Sequence, residues 1–181
     1  MRRWRHGTLL AALMLCACTN EVESYYAPIR AFFRFGSVIT TPQLLTAVSN
    51  PGQFCTITFS GGYYYFTGPD GSSTTYAATA VDNYGKPEYV SGFIVGTPAV
   101  LDLSGNFTLS AFDLVCPNCY TDNAIQRALS FSSTTTMHCN RCKRTYDLDN
   151  GGIVSGGEGG RSLFRYRVSY ASGQGLLLIQ N

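Results

Sequence analysis

Phe54-Cys55-Thr56-Ile57-Thr58-Phe59, Ser60-Gly61-Gly62 and Tyr63-Tyr64-Tyr65-Phe66 together decide the fold class. Aromatic, β-branched and Thr residues on either side of a Gly-Gly turn fit two half-buried strands joined tightly. The pattern recurs in Phe107-Thr108-Leu109-Ser110-Ala111-Phe112. It returns in Leu163 to Tyr170, which runs through Ala171-Ser172-Gly173-Gln174 into Leu176-Leu177-Leu178-Ile179. Arg165 and Arg167 alternate there with Phe164, Tyr166 and Val168, so one face of that strand is polar. Gly68-Pro69-Asp70-Gly71 and Ser104-Gly105-Asn106 mark further turns. Asn150-Gly151, between Tyr146-Asp147-Leu148 and Ile153-Val154, predicts a two-residue hairpin, because both residues tolerate positive φ. Only Asn123 to Leu129 reads as helical, and so short a helix is marginal without packing. The expected fold is all-β and antiparallel.

The N-terminus reads differently. Basic Met1-Arg2-Arg3-Trp4-Arg5 precedes the apolar run Leu9 to Leu15, the layout of a secretory signal. That run is too short to span a bilayer. Leu15-Cys16-Ala17-Cys18 resembles a lipobox, which implies lipidation of Cys18 and removal of residues 1–17. An ordinary secretory signal cut near the same place is the alternative. Residues 18–26 then form an anchor and tether, and the acids Glu21 and Glu23 resemble the export signals of some Bacteroidetes-type surface lipoproteins. The expected location is the cell envelope, lipid-anchored to the outer membrane on its periplasmic or surface face.

Cleavage also changes the charge. Arg2, Arg3 and Arg5 leave with the signal, so ten basic residues face eleven acids, and no global field remains to draw nucleic acid. About 155 residues, 27–181, are left for one compact domain.

Cys116-Pro117-Asn118-Cys119 and Cys139-Asn140-Arg141-Cys142 are two CxxC pairs separated by 19 residues. Such pairs form knuckles that bring two sulfurs each to one tetrahedral ion. Two disulfides are the alternative that an oxidising compartment would permit. A thioredoxin-like redox site would need a single CxxC opening a helix in an α/β pattern.

Around these residues the chain resembles the Rieske domain family. Ala111-Phe112-Asp113-Leu114-Val115-Cys116-Pro117 looks like the entry to that family's first ligand loop. Cys139 to Asp147 looks like the second, and Asn150-Gly151, Ser155 to Gly160 and Leu163 to Val168 follow in the family's order. The resemblance covers about residues 92–180. It implies an antiparallel sandwich with a small metal-binding subdomain, its loops at about 111–155. Cys116 and Cys139 fall on the family's two cysteines, whereas Cys119 and Cys142 stand where its histidines would be. The two-histidine iron of a Rieske centre therefore cannot be reproduced. The four sulfurs suit Zn2+, and a four-cysteine [2Fe–2S] cluster is the alternative. A chain exported unfolded acquires its metal outside, which favours zinc over a cluster built in the cytosol.

Other residues carry less chemistry. His138, the one histidine beyond the signal, adjoins Cys139 and is expected beside the site or merely exposed. Arg141, Lys143 and Arg144 form a basic cluster that could offset thiolate charge. Cys55 reads as a buried small hydrophobe. The glycine-rich stretch 156–160 lacks a phosphate-binding pattern and is expected to let backbone pass close to the metal loops. The tyrosine-rich strands make a poor sugar platform, since Trp4, the one tryptophan, leaves with the signal. The expected function is a non-enzymatic binding or scaffold role with an unidentified envelope protein partner. An electron-transfer component is the alternative.

Overall fold

A computed structural model describes residues 26–181 apart from Pro28, so Cys18 and most of its tether lie outside the described residues. Among these residues twelve strands form two antiparallel sheets. The larger contains β1 (Phe32–Phe35), β2 (Gln53–Ser60), β3 (Tyr63–Thr67), β4 (Ser73–Ala77), β5 (Phe93–Thr97), β6 (Ser110–Asp113), β11 (Arg165–Ala171) and β12 (Leu176–Gln180). Their order is β1-β12-β11-β6-β5-β2-β3-β4. The smaller contains β7 (Ser130–Phe131), β8 (Thr136–His138), β9 (Thr145–Asp147) and β10 (Ile153–Gly156), in the order β10-β9-β8-β7. Among the described residues there are two α-helices, α1 (Pro42–Ser49) and α2 (Pro117–Asn123). Among the described residues no helix is long and apolar enough to cross a membrane.

The large sheet curls until its edges meet. Phe35 on β1 packs edge-on against Tyr76 on β4 at 5.0 Å between ring centroids, and Ser37 donates to the Tyr76 hydroxyl. Phe33 contacts Tyr64 and Phe93, so both halves of the sheet share one aromatic core. The β2–β3 turn is the Gly61-Gly62 pair, at φ 59° and 84°, and Ser60 stands opposite Tyr63. Two positive φ values match the right-handed twist of the strands they join.

Strands β2, β5 and β6 are covered on both faces. Successive side chains point to opposite sides of a sheet. Cys55, Phe93 and Ala111 therefore enter the aromatic core, while Phe54, Ile94 and Phe112 enter a second core beneath the small sheet. That second core also contains Leu114, Leu129, Met137, Tyr146, Leu148, Leu163 and three of the CxxC cysteines.

Three local expectations are corrected. The segment 125–129 is not helical: α2 ends earlier, at Ala124 with φ 54°, and Val115 bridges Ala128 in an extended pairing that carries Leu129 into the second core. Asn150-Gly151 is part of a five-residue loop, since Ile153 pairs with Asp147. The Asp147 carboxylate accepts the N–H groups of Asp149 and Asn150, and burial of Leu148 pulls the chain inward before it can turn. The stretch 107–109 precedes β6 as an irregular loop. Helix α1 was not expected; Pro42 opens it at a position suited to its missing N–H, and Leu44 and Ala47 are buried beneath it.

Asp113, at the end of β6, is the one buried carboxyl among the described residues. It accepts the N–H groups of Val90, Ser91 and Val115 and the hydroxyl of Tyr166. Burial pushes its pKa up, against the pull of those four donors. Replacing Asp113 by Ala strands several buried donors at once and is expected to cost about 3 kcal/mol or more. Urea unfolding checks it, with Asp113→Asn, which keeps one acceptor oxygen, expected to lose less.

Candidate metal centre

The first knuckle follows β6 directly. Cys116 precedes α2, Pro117 opens the helix, and Cys119 lies in its first turn. Tyr120 N–H donates to the Cys116 carbonyl, closing the turn. The second knuckle links β8 to β9. Lys143 N–H donates to the Cys139 carbonyl, Cys139 N–H donates to the Arg144 carbonyl, and Lys143 takes a left-handed φ of 61° to close the turn.

These two turns bring four sulfurs together, all within 4.8 Å of one another. Two sulfur–sulfur contacts cross between knuckles: Cys116 to Cys142 at 3.6 Å and Cys119 to Cys139 at 3.8 Å. All four cysteines are free, at separations far beyond the roughly 2.05 Å of a disulfide bond. The cluster could hold a metal ion. Cys116, Cys119 and Cys139 are buried, whereas Cys142 is partly exposed beside a cleft of about 410 Å3 bordered by Asp122, Asn123, Arg141 and Arg144.

Burial pushes the Cys116 and Cys119 thiols up, so without a cation these sulfurs resist ionisation. Burial also acts on Cys142, but the backbone N–H and guanidinium of Arg144 and the neighbouring thiols outweigh it and bring that thiol down to about 6. Metal binding requires thiolates, and a bound cation provides the stabilisation that burial withholds.

Polar groups around the sulfurs fix their orientation. The Tyr146 hydroxyl stands 3.2 Å from Cys116 Sγ and can donate to its thiolate. Asn118, inside the first CxxC, donates to Tyr146 at 2.9 Å and to the Arg161 carbonyl, while its own Oδ1 accepts Arg161 N–H. The 156–160 stretch does pass close to the metal loops. A Cβ at Gly160 would stand 2.3 Å from Asn118 Oδ1, and one at Gly156 would stand 2.3 Å from Thr145 Oγ1.

The basic cluster divides. Arg144 reaches Cys142 and also donates to the carbonyls of Glu158 and Gly159, so it clamps the glycine-rich stretch against the knuckle. Arg141 and Lys143 are exposed. His138 is half-buried on β8 and stands outside the sulfur cluster. Cys55 lies fully buried in the aromatic core, away from the four. Sequence reading missed Asn118 and Tyr146 as partners of the site. The signals were a polar residue inside a knuckle and a tyrosine in a strand directly after one.

No protein-family model and no curated protein matches the chain.

Tyr146→Phe keeps the ring in the second core and removes the hydroxyl from Cys116 and Asn118. Metal affinity is expected to fall about tenfold, the lower end of the effect of losing a partner to a ligand. Chelator competition measures it, and the circular dichroism spectrum of the metal-loaded protein should be unchanged.

Proposed function

We propose that this chain is an exported, lipid-anchored, non-enzymatic protein in which Cys116, Cys119, Cys139 and Cys142 hold one structural Zn2+, with a binding or scaffold role in the cell envelope. The observation that carries the metal assignment is the sulfur geometry. Zinc–sulfur bonds of about 2.3 Å in a tetrahedron put sulfurs about 3.8 Å apart. The cross-knuckle separations of 3.6 and 3.8 Å fit that figure. In a two-iron cluster each of these pairs would share an iron and the two pairs would stand well apart, whereas all four sulfurs lie within 4.8 Å of one another, which favours a single ion. Four protein sulfurs also fill every tetrahedral position, which leaves no open site for substrate and supports a structural role over a catalytic one.

Export and anchoring rest on the signal-like N-terminus and on Cys18 in its lipobox setting. The Rieske resemblance supports the second reading, an electron-transfer protein carrying a [2Fe–2S] centre on the same cysteines.

Metal analysis of protein taken from its native envelope separates the readings. We expect about one zinc per chain and no visible absorption, as for a d10 ion with four thiolates. Two irons with acid-labile sulfide and a red-brown colour would establish the electron-transfer reading instead. Anchoring has its own test. Cys18→Ala is expected to move the protein from the membrane fraction to the soluble one while the domain folds normally, and variant protein still wholly in the membrane pellet would contradict the lipobox assignment.

A further inference from the structure

The loop between β5 and β6 exposes an apolar surface for which the metal site has no use. Leu103 is fully exposed, and Val100, Leu101 and Phe107 are each about half exposed. A loop of this composition would ordinarily fold its apolar side chains inward. Here hydrogen bonds hold them out. Asp102 accepts the N–H groups of Ser104 and Asn106 and the hydroxyl of Thr108, and Asp149 accepts Ala99 N–H at 2.7 Å, which fastens the loop to the β9–β10 connection. Ile153, just beyond that connection, is also about half exposed.

The chain leaves the domain beside this surface. Ala27 N–H donates to the Arg165 carbonyl, and the Arg167 guanidinium lies over the Tyr26 ring at 4.9 Å. Arg165 in turn lines the same cavity as Val100, Leu101 and Asp102. Tyr26 is eight residues from Cys18. Even fully extended, that length reaches at most about 29 Å. A lipid on Cys18 would therefore keep this flank of the domain within that distance of the bilayer.

We propose that Val100, Leu101, Leu103 and Phe107 dock into the lipid surface to which the chain is anchored, so that the domain sits in one orientation. The proposal rests on the lipid anchor inferred above. Apolar side chains at an interface gain from burial in the acyl boundary, and a second contact adds to a covalent lipid because the tether has already confined the loop near the surface. The orientation has a consequence for the metal centre. The apolar loop leads into β6 and the first knuckle leaves from its other end. Cys142 and its cleft would thus face away from the lipid, toward the aqueous side.

Tryptophan reports this directly, because a chain that has lost residues 1–17 contains none. Leu103→Trp, at a position whose side chain makes no packing demand, is compared with Tyr63→Trp. Tyr63 is exposed and pairs with Ser60, at the end of β2 opposite Gln53, whereas Thr97, from which the apolar loop departs, pairs with Gln53. Each full-length lipidated variant is reconstituted into phosphatidylethanolamine–phosphatidylglycerol vesicles with and without acyl-brominated lipid, and recovered by flotation. Leu103→Trp emission is expected to shift to shorter wavelength on reconstitution and to be quenched by bromine. Tyr63→Trp should do neither. Protein that floats while Leu103→Trp emits as in water would overturn the docking and leave the anchor standing. Failure to float would overturn the anchor and the docking with it. A blue shift in native membranes without bromine quenching in vesicles would assign the patch to a protein partner and overturn the lipid assignment.

Discussion

Four cysteine sulfurs within 4.8 Å of one another, three of them in buried residues, form an arrangement that thiolates cannot sustain by themselves. As thiolates they repel at short range in a low-dielectric surrounding, and as thiols they offer only weak mutual hydrogen bonds. A bound cation would resolve the conflict and would tie the small sheet to the large one. Its strands are two to four residues long and make a thin layer. What holds that layer to the large sheet is the second core, and the sulfurs are part of that core's own packing.

The two-sided burial of β2, β5 and β6 is the matching constraint on the large sheet. One face of these strands serves the aromatic core and the other supports the metal loops, so the alternation of side chains is fully spent. Gly96 shows how little room remains, since a Cβ there would stand 2.3 Å from both Gln53 O and a carbon of the Phe54 ring. Asp113 links the two systems. Its carboxylate ties together the segment before β5, the approach to Cys116 and the Tyr166 hydroxyl, so the position of the first knuckle depends on a group in neither the sulfur cluster nor the aromatic core.

Much of this was legible in the residues themselves. Period-two alternation and Gly-Gly, Ser-Gly and Pro-Asp-Gly punctuation gave the antiparallel strands, and CxxC spacing gave the four sulfurs. The narrowness of the glycine-rich stretch against the knuckles was also readable, and the contacts of Gly156 and Gly160 bear it out. What escaped depends on tertiary contacts. Leu148 and Leu129 are drawn into the second core, and each overrides a local signal: a favourable Asn-Gly turn in one case and a short helical pattern in the other. Tyr146 as a partner of Cys116, and Asn118 as a partner of Tyr146, became visible only once residues 30 and 28 positions apart were placed side by side. Helix α1 carried a readable signal, Pro at its first position with apolar residues three apart, among strands that drew attention elsewhere.

A double-mutant cycle across the knuckles tests most directly whether one ion shared by both binds the small sheet to the large one. Thermal unfolding of metal-loaded wild type, Cys116→Ser, Cys139→Ser and the double variant gives the coupling between the two sulfurs. In a site where metal binding is part of the folding free energy, losing one ligand forfeits most of what losing two would. The double variant is therefore expected to unfold at nearly the same temperature as either single one. Small losses that add would show that the two knuckles do not share an ion.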